Sequence, residues 1–277
     1  MRNKLMILAV AALINGCTVS ARHTERKQES TVLGGQETEV REARREEIPF
    51  MYDSKVFSRV ELKINPKAVA VEGLPVESPT HSCFYLEDKR ALPAFDKGAR
   101  YFYPAYSFIC TIPLTDVSVV DFAKAYPYIS EAAIKLRKLL KAHPSKFKSS
   151  ENINDLPFNN AGGVIQSRVQ YLAFKTGRGV LFLTQYSQEM LPNPINNEEL
   201  TCNFQGLTNN GKYYIAARLA CSHPSLPRGI DFTNQIERDE KWHYLRKDEQ
   251  KLNGLTEESF QPSLKMLKFL ISSISVE

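Results

Sequence analysis

Several signatures are missing from this chain. The apolar run at its start, Leu5 to Ile14, holds ten residues, half of the roughly 20 that a membrane-spanning helix needs. A large excess of charge of either sign is missing too. The formal +5 falls to +3 once Arg2 and Lys4 leave with residues 1–16, which excludes the strongly basic balance of a nucleic-acid-binding protein. No CxxC and no Cys/His pair has zinc spacing; His81 and Cys83 are two apart, which alone is a poor metal signal. There is no GxSxG of a serine hydrolase and no HExxH of a zinc protease. No internal repeat and no cofactor signature is evident, so neither metal nor cofactor is expected.

What is present begins at the first residues. Arg2 and Lys4 precede the apolar run, and Asn15, Gly16 and Cys17 close it. A basic start, a short apolar stretch and a small residue before a cut describe a secretory signal peptide. Ile14-Asn15-Gly16-Cys17 resembles the lipobox of bacterial lipoproteins, although Asn15 departs from the usual small or β-branched choice. The resemblance implies a lipoprotein signal peptide over residues 1–16, a diacylglycerol on the Cys17 thiol and an acylated new amine, palmitate being a fitting label. Such chains anchor firmly, since each buried CH2 contributes about 0.8 kcal/mol. Thr18 stands where Asp favours inner-membrane retention in these lipoproteins, so the implied location is the cell envelope, at the outer membrane.

Residues 17–49 read as a lipid-anchored flexible tether. Charges of both signs alternate through "ARHTERKQES" and "EVREARREE", Gly34-Gly35 interrupts, and no apolar period persists. Residues 50–277 read as one globular domain. Four strands are expected at "VFSRVELKI" (56–64), "AVAVEG" (68–73), "SCFYLE" (82–87) and "AYSFICTI" (105–112). The period then becomes helical. "SVVDFAKAY" (118–126) runs up to Pro127. "SEAAIKLRKLLKAH" (130–143) places Ala133, Leu136 and Leu140 on one face, with Ser130 as N-cap and Lys135, Arg137, Lys138 and Lys141 on the wet side.

Strands resume at "SRVQYLAF" (167–174) and "VLFLTQY" (180–186), which the Gly177-Arg178-Gly179 turn is expected to join. "VLFLTQY" is apolar at nearly every position and should be a central strand covered on both faces. "ELTCNFQGL" (199–207) and "KYYIAARLAC" (212–221) flank Asn210-Gly211, a strong hairpin signal. "TNQIERDEKWHYLRKDEQKL" (233–252) is a charged helix with a sparse apolar face at Ile236, Trp242 or Tyr244, Leu245 and Leu252. "LKMLKFLISSI" (264–274) is amphipathic, with Leu264, Leu267, Ile271 and Ile274 on one face and Pro262 in its first turn. The fold class is therefore α+β: a central, mostly antiparallel sheet meander flanked by helices.

Four cysteines follow Cys17. Their even number in an exported chain suggests the disulfides Cys83–Cys110 and Cys202–Cys221. Four cysteines allow three pairings, and the rivals stay open. A two-residue Asn210-Gly211 turn sets Cys202 opposite Leu219, so Cys202 and Cys221 share a face only diagonally.

Residues 156–277 resemble a family of bacterial secreted proteins and lipoproteins without an established function. The resembling motifs are "LPFNNAGGVIQSRVQYLAF", "GRGVLFLTQYSQ", "PINNEELTCNFQGLTNNGKYYIAA", "SHPSLP" and "FQPSLKMLKFLISSISV". A looser similarity concerns fold: a strand meander closed by a helix ending in "LISSI" is similar to a PsbP/Mog1-like sandwich. That similarity implies domains that bind or assist assembly, with no shared catalytic residues.

No nucleophile sits beside a base in an evident catalytic motif. Ser222-His223 is the nearest approach, but strand neighbours point to opposite faces; His223 reads as the polar cap of a loop and as a candidate binding residue. The most suggestive cluster for binding is Gln185, Tyr186 and Gln188 with Asn196 and Asn197, near the exit of a covered strand; the plainer role for those amides is to satisfy loop backbone. The expectation is an envelope lipoprotein whose domain binds a ligand, a protein or a glycan of the envelope in an accessory or assembly role. The alternatives are a hydrolase of envelope material and a purely structural lipoprotein.

Overall fold

The computed structural model describes residues 16–18, 50–53, 57–65, 79–88, 107–115, 121–143, 162–187, 194–229 and 238–276. The expected strand at 68–73, the signal segment before Gly16 and nearly all of the expected tether lie outside them. Gly16–Thr18 (β1) and Met51–Asp53 (β2) form a small antiparallel ladder in which Cys17 faces Tyr52.

The main sheet draws on β3 (Phe57–Asn65), β4 (His81–Asp88) and β5 (Ser107–Pro113). After the helices α1 (Phe122–Ala125) and α2 (Pro127–Ala142) come β6 (Gly162–Gly163), β7 (Ser167–Phe174), β8 (Gly177–Thr184) and β9 (Tyr186–Ser187). Then follow β10 (Thr201–Thr208), β11 (Tyr213–Ala220), α3 (Arg238–Gly254), a 3-10 turn (Glu257–Ser259) and α4 (Leu264–Ser272). Seven strands pair in the order β3-β4-β5-β11-β10-β8-β7. Each neighbouring pair is antiparallel. The chain is α+β, as its sequence periods imply.

Side-chain alternation splits the core in two. Val180 and Phe182 of β8 pack with Ile112, Tyr214 and the α2 residues Ile129, Leu136 and Leu140. Leu181 and Leu183 pack the other way, with Phe204, Ile215 and the α4 residues Leu264, Leu267 and Ile271. β8 is thus covered on both faces. It lies one place from the sheet edge rather than at the centre, which β11 occupies.

The β7–β8 connection differs from the expected Gly177-Arg178-Gly179 turn. Lys175 and Thr176 make the turn, and both glycines lie inside β8. Close packing explains them. A Cβ on Gly177 would sit 2.2 Å from the Leu207 carbonyl oxygen, and one on Gly179 would sit 2.1 Å from that of Gln205. The rings of Phe174 and Phe204, edge to face at 5.8 Å, fill the space that side chains there would take. Gly211, by contrast, has φ of 70° in the expected β10–β11 turn, a conformation that costs glycine little.

Two helix starts also differ. α2 begins at Pro127, because proline suits the first turn, where its missing N–H bonds nothing; Ser130 is inside the helix rather than its cap. In α4 Ser263 is the N-cap, its side chain accepting from the Met266 N–H, and Pro262 lies before the helix. In α3 Leu245 and Leu252 are buried and Tyr244 is exposed. Ile236 and the Trp242 side chain lie outside what is described.

Cys83 and Cys110 are direct partners across β4 and β5 and are joined by a disulfide. The expected Cys202–Cys221 bond is not formed, and both are buried thiols. The register gives the reason. Cys202 faces Leu219, while Cys221 donates its N–H to the Leu200 carbonyl at 3.3 Å. The two cysteines are diagonal, and diagonal Cβ atoms about 7 Å apart exceed the roughly 4 Å a disulfide needs.

Candidate functional site

Gln185, Asn196, Asn197 and His223 come together in one connected polar system at the end of β8. Gln185 Oε1 accepts the Asn196 N–H at 3.1 Å, and Gln185 Nε2 donates to the Pro194 carbonyl at 3.4 Å. Asn196 Oδ1 caps the next turn by accepting the N–H groups of Glu198 and Glu199 at 3.0 and 3.1 Å. Asn196 Nδ2 donates to the Glu199 carboxylate at 3.0 Å. Asn197 Oδ1 accepts the His223 N–H at 2.8 Å, and its Nδ2 donates to the Leu226 carbonyl at 3.0 Å. These amides hold the loop after β8 against the loop after β11. Gln188 lies outside the described residues.

His223 continues the system into the 3-10 turn. Nδ1 accepts the Ser225 N–H at 3.0 Å and meets the Ser225 hydroxyl at 2.8 Å. Nε2 lies 3.0 Å from Ser259 Oγ. A backbone N–H cannot turn away, so Nδ1 is the bare nitrogen and Nε2 carries the proton. Nε2 therefore donates to Ser259, whose hydroxyl donates onward to the Thr256 carbonyl at 2.7 Å. From Nε2 through Ser259 every proton points away from the imidazole, so Ser259 is not set up as a nucleophile, which needs a ring nitrogen that accepts its proton. The Ser225 hydroxyl does donate to the bare Nδ1, a nitrogen it shares with its own backbone N–H. Burial, aided by the Lys251 ammonium, holds the His223 pKa below its ordinary value. The Phe260 ring packs against the imidazole at 5.1 Å.

Tyr186 turns the other way, into a second buried group. Its hydroxyl donates to Asn203 Oδ1 at 3.2 Å, and the Arg218 guanidinium lies 4.8 Å above its ring. Asn203 Nδ2 donates to Thr201 Oγ1 at 2.8 Å, and that hydroxyl donates to the Thr184 carbonyl at 3.1 Å. Sequence reasoning missed Thr201, Asn203 and Arg218. The signal was there: in "TCNFQGLT" polar residues alternate with apolar ones, so three polar side chains share a face of a strand that is buried throughout.

A shallow hollow lies beside Arg168, Val169, Gln170, Asn253 and Glu257. Arg168 has φ of 54° at a bulge that opens β7. Its N–H donates to Asn253 Oδ1 at 2.6 Å, and its Nη1 donates to the carbonyls of Leu252, Asn253 and Leu255. A cation on the orphan carbonyls at the end of α3 is the complement of that helix's dipole. Glu257 lies 3.8 Å from Arg168 and pairs with Lys268.

The remaining reactive groups are quiet. Burial is the main cause that pushes the Cys202 thiol up to about 12, so it holds no thiolate at neutral pH. The sulfur of Cys83, the neighbour of His81, is spent in the disulfide. Among the described residues no group of three His, Cys, Asp or Glu side chains could hold a metal ion, and no helix is long and apolar enough to cross a membrane. In comparisons with known proteins the chain matches no family model, no curated protein and no solved structure.

Proposed function

We propose that this chain is a lipid-anchored protein of the bacterial envelope, at the outer membrane, whose α+β domain binds another envelope component in an accessory role. The observation that carries the reading is Cys17, placed directly after Gly16 at the close of a ten-residue apolar run and a basic start. The resemblance of residues 156–277 to secreted proteins and lipoproteins supports it. Binding is preferred to hydrolysis because the sequence carries no recognisable catalytic motif and because His223 Nε2 donates to Ser259, while the Ser225 hydroxyl shares Nδ1 with its own backbone N–H. The partner is a protein or glycan of the envelope.

Crosslinking in intact cells followed by recovery of the full chain tests the reading. One stoichiometric envelope partner, lost when Cys17→Ser releases the chain from the membrane, supports it. Turnover of ester, peptide or glycan substrates by the purified protein, abolished by His223→Ala or Ser259→Ala, overturns it in favour of a hydrolase.

A further inference from the structure

We propose that the outward face of α2, extended by two hairpin turns at one end of the sheet, docks on an anionic phospholipid surface. The inference deepens the lipid-anchored reading, since the anchor is what keeps this face close to a membrane. α2 buries Ile129, Ala132, Ala133, Leu136 and Leu140, so its opposite side faces water. That side carries Lys135, Arg137, Lys138 and Lys141, all exposed. The one carboxylate among them, Glu131, is taken by Lys135 at 2.8 Å. The Arg137 guanidinium reaches the β10–β11 turn, 3.9 Å from where a Cβ on Gly211 would stand. Exposed Lys212 follows. The Asn209 N–H donates to the Thr176 carbonyl at 2.8 Å and so joins that turn to the β7–β8 turn, beside exposed Arg178. Arg137, Lys138, Lys141, Arg178 and Lys212 make no ion pair among the described residues.

The arrangement selects its occupant. The α2 cations spread along about 9 Å of helix axis on an open face, so they fit an extended array of phosphates rather than one small anion. Ile134, 46% exposed, stands among them, with Arg137 and Lys138 three and four residues on. An apolar side chain ringed by cations matches the headgroup boundary, where the one enters the acyl region and the others meet phosphate. The acyl chains fix the chain to the membrane without orienting the domain, and a basic patch is a second attachment that sets which face meets the surface.

Residues 17–277 carrying Cys17→Ser, made without the signal segment and therefore without lipid, are sedimented with phosphatidylglycerol/phosphatidylethanolamine vesicles and with phosphatidylcholine vesicles. Binding should appear on the anionic vesicles alone and fall steeply with salt. Each cation at such a surface strengthens binding about fivefold. Arg137→Gln/Lys138→Gln/Lys141→Gln should therefore weaken it on the order of 100-fold, with the far-ultraviolet spectrum and melting temperature of the parent. Equal binding to neutral vesicles, parental binding by the triple variant, or retention on double-stranded DNA with none on vesicles overturns the proposal. Palmitate labelling of the full chain is read separately. Intact labelling without vesicle binding overturns this inference alone, and vesicle binding without labelling overturns the anchor alone.

Discussion

Nε2 of His223 donates to Oγ of Ser259 across 3.0 Å, and this bond ties the loop after β11 to the 3-10 turn before α4. The bracket works only while the imidazole is neutral, because protonation at Nδ1 would set a proton against the Ser225 N–H. Burial holds His223 below its ordinary pKa. Burial also lowers His81, against the opposing hydrogen bond to the Pro79 carbonyl. The folded state therefore binds fewer protons than the unfolded chain below about pH 6.5. Stability should be complete above that pH and be lost as pH falls through the folded values. Urea melts from pH 8 to pH 5 check this. His223→Gln combined with His81→Gln should flatten the profile, and an unchanged slope in the double variant would refute the assignment.

Arg168 offers a second test. Its guanidinium serves three backbone carbonyls at the end of α3 and also faces Glu257. Arg168→Ala leaves those acceptors without their donor, for a loss of about 2–3 kcal/mol. Arg168→Lys should recover only part of it, because a point charge cannot spread over three carbonyls as a planar fork does. Arg168→Gly separates the contributions: it loses the cap but relieves the positive φ, so it should be about 1 kcal/mol more stable than the alanine variant. Equal stability of the glycine and alanine variants in denaturant melts would show that the backbone there is unstrained.

The strands from β7 to β11 were legible because period-two alternation and Asn210-Gly211 fix their faces and register. The β7–β8 turn was less so. Glycine signals both a turn and a close approach, and only the Phe174 and Phe204 rings, one of them on the distant strand β10, reveal which applies at Gly177 and Gly179. The polar system was half legible. The amides of "LTQY" and "INN" announce a loop that must satisfy itself, but Ser259 reaches His223 through a separation of 36 residues that no local pattern encodes. Arg168 was illegible altogether, since an arginine opening a strand looks like any solvated charge.

Gly179→Ala should be among the most damaging single substitutions. The new Cβ meets a backbone carbonyl, which cannot swing aside, as well as the Phe204 ring at 2.6 Å. Overpacking costs about 1–3 kcal/mol where side chains can yield, and here the loss should reach about 3 kcal/mol. Adding Phe204→Leu should restore none of the carbonyl clash. A melting temperature within a degree or two of the parent would contradict the register of β8 on β10.

The cysteines give a prediction that counts atoms. In the purified protein Cys83–Cys110 should be the one disulfide among residues 50–277, and Cys202 and Cys221 should stay reduced. The two reduced thiols should ignore a thiol reagent in the native state and react fully in denaturant, because both are buried and the Cys202 pKa is pushed up to about 12. Cys202→Ala should cost about 1 kcal/mol, whereas Cys202→Ser buries a hydroxyl without an assured partner and should cost more. A Cys202–Cys221 peptide in non-reducing mapping would show that the strand ends twist further together than the register allows.

Cys17 carries the remaining prediction. Cells expressing the full chain and fed labelled palmitate should label it, and Cys17→Ser should abolish both the label and retention with the membrane fraction. The released protein should keep the Cys83–Cys110 bond and the parental melting temperature. Neutralising the α2 cations in the full chain should leave membrane retention intact, because several buried acyl chains at about 0.8 kcal/mol per CH2 outweigh a few surface charges. Persistent palmitate on the serine variant would place the lipid on another residue and remove the basis for an anchor at Cys17.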